Sequence, residues 1–148
     1  MNTTQIDSIL KRCRLTTYRG VFASDQLPRV TGVLIANVDP INKPGSHWVA
    51  IYISADRQRG EFFDSFGRAP DQRLTLFMKC NCVNWIYNKR QLQSVVSKCC
   101  GHYCILYCIN RAKLGIDLHR FLTRFTKDTG FNDLIVRKAV RLVVANSY

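Results

Sequence analysis

No stretch of this chain stays apolar long enough to cross a bilayer. The longest runs, Trp48–Ile53 and Cys104–Ile109, span a handful of residues, where about 20 are needed. The opening residues, Met1-Asn2-Thr3-Thr4-Gln5-Ile6-Asp7, have neither the basic segment nor the apolar run of a secretory signal. The expectation is therefore a protein with no membrane partner that is not secreted. Internal repeats, low-complexity tracts and interdomain linkers are also lacking, and 148 residues suit one compact unit, so residues 1–148 are read as a single domain. Acidic residues are scarce: 10 Asp and Glu stand against 22 Lys and Arg, for a net charge of +12. The basic residues run from Lys11 to Arg141 without clustering. Such a diffuse field favours polyanions such as DNA through counterion release, and serves equally to keep a protein soluble.

Hydrophobic residues make up 47% and charged residues 22%, so the chain is of the folding kind and not of the disordered kind. Thr4 with Ile6, Ile9, Leu10 and Cys13 predicts a threonine-capped N-terminal helix. Tyr18 to Pro28 has no clean period and reads as a loop with one short element. Val33-Leu34-Ile35, then His47-Trp48 through Ile53, then Glu61 to Phe66 read as strands, the last two joined as a hairpin across Asp56–Gly60. Pro70-Asp71 fits the first turn of a helix through Leu74, Phe77 and Met78, and Val83–Tyr87 another strand. A central helix is expected from Cys100 to a stop near Gly115. Two more should follow, one capped by Asp117 and reaching Phe125, one capped by Asn132 or Asp133. The expected class is α+β, a small mixed sheet against a central helix.

Seven cysteines without a secretion signal read as thiols rather than a disulfide framework. Cys80 and Cys82 have one residue between them, and Cys99 and Cys100 none. Zinc sites space paired ligands by two to four residues, so no metal is expected, with or without His102. Cys104 and Cys108 follow Cys100 at successive helical turns and read as packing.

Four residues combine into something more specific. His47 and Asp64 lie on adjacent antiparallel strands, where a carboxylate can hold an imidazole in one tautomer and stabilise its charged form. Cys100 begins a helix, where the dipole and a nearby imidazolium favour thiolate. Gln93, seven positions earlier, has an amide N–H₂ able to donate to an oxyanion alongside the N–H of the nucleophile's own residue. Together these are the parts of an acyl-transfer site.

The order His, acid, Gln, Cys, carried by Gly45-Ser46-His47-Trp48, Gly60-Glu61-Phe62-Phe63-Asp64-Ser65-Phe66-Gly67 with Asp71-Gln72-Arg73-Leu74, and Gln93 through Cys99-Cys100-Gly101-His102-Tyr103-Cys104, resembles the adenovirus-type cysteine endopeptidases (adenain). It resembles more distantly the SUMO-specific proteases of the same clan. The resemblance covers Tyr18 to Ile109. It implies an α+β cysteine protease fold, with His47 as general base, Asp64 as orienting acid, Gln93 as oxyanion donor and Cys100 as nucleophile. Cys100 is preferred to Cys99 because the family's nucleophile directly precedes a glycine, here Gly101. Asp64 departs from the Glu usual in adenoviral members and matches the SUMO proteases. Trp48 and Gly101 are implied at the substrate cleft, with cleavage after small residues, often Gly.

No cofactor is required by that chemistry. The adenoviral likeness further implies viral precursor proteins as polypeptide substrates, stimulation by DNA, a location in the virion or the host-cell nucleus or cytoplasm, and an activating peptide disulfide-bonded to Cys82. The SUMO-protease likeness implies a ubiquitin-like modifier as substrate instead. The first is preferred because the ungapped hairpin and Asp71–Leu74 look adenoviral. A different class, a non-catalytic nucleic-acid-binding module, accounts for the charge but not for the intact four-residue set.

Overall fold

In the computed structural model, which describes residues 1–147, the chain runs α1 (Thr3–Arg12), β1 (Tyr18–Ala23), β2 (Gly32–Asn37), β3 (Trp48–Ile53), β4 (Arg59–Phe63), α2 (Gln72–Asn81), β5 (Asn84–Tyr87), α3 (Cys100–Leu114), α4 (Leu118–Leu122) and α5 (Thr129–Ala145). The strands form one mixed sheet in the order β1-β2-β3-β4-β5. Its central pairs are antiparallel and its edge pairs, β1 with β2 and β4 with β5, are parallel.

Both faces of the sheet are covered, which is why β2 is buried at every position. Side chains alternate across a strand, so Val33 and Ile35 join Ala50 and Phe63 in a cluster with α1, α3, α4 and α5. Leu34 and Ala36 join Val49, Ile51, Ile53 and Phe62 against Leu74 and Met78 of α2. A buried carboxylate fixes the central helix over the sheet: Glu61 of β4 accepts from Tyr107 Oη (2.6 Å) and the Leu118 N–H (2.9 Å), and pairs with Arg111 Nε (3.2 Å). Gly115, at φ 64°, ends α3 in the left-handed conformation, with its N–H on the Asn110 carbonyl. Among the described residues no helix is long and apolar enough to cross a membrane.

Several boundaries differ from those the sequence predicts. Asn2, not Thr4, caps α1, because Asn2 and Gln5 satisfy each other reciprocally at 2.9 Å. The one short element expected between Tyr18 and Pro28 is β1, whose register shifts between Tyr18 and Val21, which erases the period. Asp71 is the cap of α2, accepting from the Leu74 N–H, so Pro70 precedes the helix instead of opening it. α4 stops at Leu122, short of Phe125. Asp128 caps α5, while Asn132 and Asp133 are buried inside it, bonded to Thr126 and to Tyr103; their polarity serves tertiary contacts.

Candidate active site

His47 directly precedes β3 and Asp64 directly follows β4. The hairpin register pairs Ala50 with Phe63, and one further step sets Asp64 opposite Val49, diagonal to His47 on the same face. The side chains meet: His47 Nε2 lies 2.6 Å from Asp64 Oδ1, and both residues are buried. The same carboxylate oxygen accepts from the Phe66 N–H at 2.8 Å. Asn88 clamps the Asp64 backbone from both sides, accepting from its N–H (2.9 Å) and donating to its carbonyl (2.6 Å). Phe66 covers the imidazole with ring centroids 4.9 Å apart, and the Arg68 guanidinium lies 4.7 Å over Phe66.

Cys100 is the first residue of α3, whose N-terminus has no side-chain cap. Its orphan N–H groups are thus free for an anion. Burial pushes the Cys100 thiol up, but a hydrogen bond from His47, backbone N–H bonds from Trp48 and Gly101, and the imidazolium charge outweigh it and hold the thiol below its usual range. Burial pushes His47 down, and its bonds to Asp64 and Cys100 reverse this, raising the imidazole to about 9. With Nε2 engaged by Asp64, the nitrogen left for sulfur is Nδ1. The three groups form a Cys100–His47–Asp64 chain in which the thiol is held low and the imidazole high, the arrangement that favours a thiolate–imidazolium pair.

Gln93 is buried on the segment that connects β5 to α3, whose Tyr103 hydroxyl donates to the neighbouring Leu92 carbonyl. Its N–H and that of Leu92 donate to the Ser65 carbonyl. The Ser65 hydroxyl donates to Gln93 Oε1 at 2.6 Å, and Nε2 donates to the Ser97 carbonyl at 2.9 Å. The amide is therefore locked with its nitrogen one hydrogen in reserve. This docking depends on Gly67, at φ 69°, where a Cβ would stand 2.6 Å from the Arg90 backbone. Gly67→Ala is accordingly expected to lower stability by about 1–3 kcal/mol, read by denaturant titration, and to shift the segment that carries Gln93.

The other expected residues fall out differently. Trp48 is half-buried, its indole Nε1 donating to the Met1 carbonyl at 3.3 Å. It borders a groove of about 390 Å³ lined also by Phe22, Asn37, Ile41 and Pro44. Gly101 is buried beneath α1, where a Cβ would meet Ile6 at 3.1 Å; it contributes its N–H to the sulfur and lets α1 pack close. Cys99 is buried and accepts from Arg137 Nε at 2.9 Å. Cys82 lies away from the site in the α2 cluster. Its thiol donates to the Met78 carbonyl, burial raises its pKa, and a Cβ on Gly60 would be 2.6 Å from the sulfur. That sulfur faces the α2 cluster, while Cys80 beside it is exposed. Sequence reasoning assigned no role to Ser65, Phe66, Gly67 or Asn88, and only the first three fell within a motif it singled out.

No family model matches the chain, and no curated protein does. Among solved structures it is similar to the ASFV pS273R protease, with a TM-score of 0.64 and 17% identity over 91% of this chain and 65% of that one. This is the fold of a cysteine protease. A second structure of the ASFV pS273R protease, in Se-Met form, matches with a TM-score of 0.52 and 20% identity over 71% of this chain. The C-terminal Ulp1 protease domain, in complex with Smt3, the yeast ortholog of SUMO, has a TM-score of 0.45 and 16% identity over 95% of this chain and 78% of that one. The chain spans 43% and 65% of the two ASFV protease chains it matches.

Proposed function

We propose that the chain is a cysteine endopeptidase that cleaves polypeptides after small residues. The observation that carries this reading is the Cys100–His47–Asp64 chain, a depressed thiol hydrogen-bonded to a raised imidazole that is anchored at 2.6 Å by a buried carboxylate. The Cys100 thiolate attacks the scissile carbonyl carbon, and the oxyanion forms against the Cys100 N–H and Gln93 Nε2. Collapse expels the amine, which takes its proton from His47, and leaves a thioester. His47 then removes a proton from water, which hydrolyses the thioester and frees Cys100. The preference for Gly and other small residues next to the cleaved bond is carried over from the resemblance to the adenovirus-type endopeptidases, with Trp48 at the cleft.

Maturation of viral precursor proteins is the role favoured by the hairpin and Asp71–Leu74 motifs. The net charge of +12 suits work on nucleoprotein, and stimulation by DNA belongs to the same reading. Incubation with a Gly-Gly-containing peptide and with a SUMO-like conjugate, each with and without DNA, tests it. Preferential cleavage of the peptide is expected, and preference for the conjugate overturns the maturation role while leaving the chemistry intact. Gln93→Ala should lower kcat by about 10²–10³-fold with KM little changed, since the amide acts on charge that exists only in the transition state. Steady-state kinetics on the peptide measure this, and an unchanged kcat removes Gln93 from the oxyanion site.

A further inference from the structure

A helix on the surface of a fold ordinarily turns one apolar stripe to the core and polar residues to water. α5 departs from this. Its inward positions, Asn132, Asp133, Val136 and Val140, are buried, the two valines in the cluster shared with α3. Its outward side carries Phe131 at 50%, Leu134 at 62% and Leu142 at 54% exposure. The three are spaced so that they fall along one line of the helix. Single exposed apolar residues need no explanation, but three aligned on one helix make a face.

Two cations lie inside the same stripe. Lys138 follows Leu134 by one helical turn and Arg141 adjoins Leu142; both are exposed, and no carboxylate pairs with either among the described residues. The acids of this region are engaged elsewhere: Asp133 accepts from Tyr103 on the inward side, and Asp128 caps the helix by accepting from the Phe131 N–H.

This mixture decides what can cover the face. A purely apolar surface would strip water from two unpaired cations. A second copy of α5 meets the same obstacle, since pairing about the middle of the stripe, in either direction, sets Lys138 against its own counterpart. Nucleic acid answers the charges and leaves the three apolar side chains in water. A helix carrying carboxylates beside its apolar residues answers both.

We propose that the outward face of α5 is a docking surface for an acidic amphipathic helix of a partner protein. The apolar residues of that helix lie along Phe131, Leu134 and Leu142, and its Asp or Glu side chains meet Lys138 and Arg141. The 17 residues of α5 offer about 25 Å of length to it. The net charge of +12 draws such a partner in. This surface is separate from the chemistry at Cys100, because none of the five side chains belongs to that site.

The probe is a fluorescein-labelled helical peptide with Leu along one face and Glu flanking it, compared with a twin in which Lys replaces every Glu. Fluorescence anisotropy is expected to show saturable binding of the Glu peptide, at least about tenfold tighter than that of the twin. Leu134→Ser/Leu142→Ser should weaken the Glu peptide about tenfold. Lys138→Glu/Arg141→Glu should reverse the preference and favour the Lys twin. Both variants change exposed side chains only, and melting curves that match the parent's by circular dichroism certify their folds. No saturable binding by the parent, or binding that either variant leaves unchanged, overturns the assignment. Vesicles of phosphatidylcholine and phosphatidylserine supply the remaining arm: if they displace the Glu peptide and sediment the parent but not the Leu variant, the face is a membrane contact and the proposal falls.

Discussion

Replacing Cys100 by alanine is expected to abolish peptide hydrolysis, by about 10⁴-fold or more, as loss of a nucleophile does when the remaining groups can only activate water. The fold should persist, because the change removes one partly exposed sulfur at a helix start and substitutes the best helix former. A second consequence follows in the partner. His47 owes part of its raised pKa to the sulfur, so its imidazole should titrate below about 9 in the variant, as read by NMR. Cys99→Ala provides the contrast. Cys99 is 1% exposed and its sulfur is engaged by Arg137, so that variant should lose some stability yet keep its labelling at Cys100. Full hydrolysis by Cys100→Ala, or loss of labelling only in Cys99→Ala, would transfer the nucleophile to the neighbour.

Asp64→Asn should have the next largest effect, about 10³–10⁴-fold in kcat/KM near neutral pH. The substitution retains the size of the side chain and an oxygen for the Phe66 N–H, but removes the charge that opposes the burial of His47. The sign of the pH effect follows. In the parent, His47 stays protonated up to about 9 while Cys100 ionises below its ordinary range. Activity should therefore rise with pH as thiolate forms and fall as the imidazolium loses its proton through about 9. With Asp64 neutral, burial dominates and drives His47 downward, while Cys100 loses its charged partner and moves upward. The window in which thiolate and imidazolium coexist closes from both sides. A kcat/KM profile with unchanged limbs would remove Asp64 from the chemistry and leave it a structural residue.

The meeting of Cys100, His47 and Asp64 was legible because these residues sit where local pattern is strong. His47 and Asp64 bracket two strands rich in β-branched and aromatic residues, and a hairpin needs no distant information to set its register. Cys100 opens a helix whose apolar face and terminal Gly115 both announce it. Asn88 was invisible for the opposite reason: its value lies wholly in a contact with Asp64, 24 residues away, and a polar residue after a short strand looks like any other. The burial of Cys82 was not legible, because spacing along a chain says nothing of which way a sulfur points. Asn132 and Asp133 looked like caps because the sequence shows polarity but not whether it meets water or a buried partner.

The site is divided between layers that the chain completes at different times. The hairpin holding His47 and Asp64 pairs neighbouring segments, whereas Cys100 arrives only with the helix laid across the sheet and tied down through Glu61. Local pairings form before distant ones, since they close shorter loops, and a nascent chain supplies its N-terminal half first. A half-made molecule therefore carries an imidazole and its carboxylate with no sulfur to activate. Under the proposed endopeptidase function, the three groups of the site come together only at the last stage of the chain's own assembly.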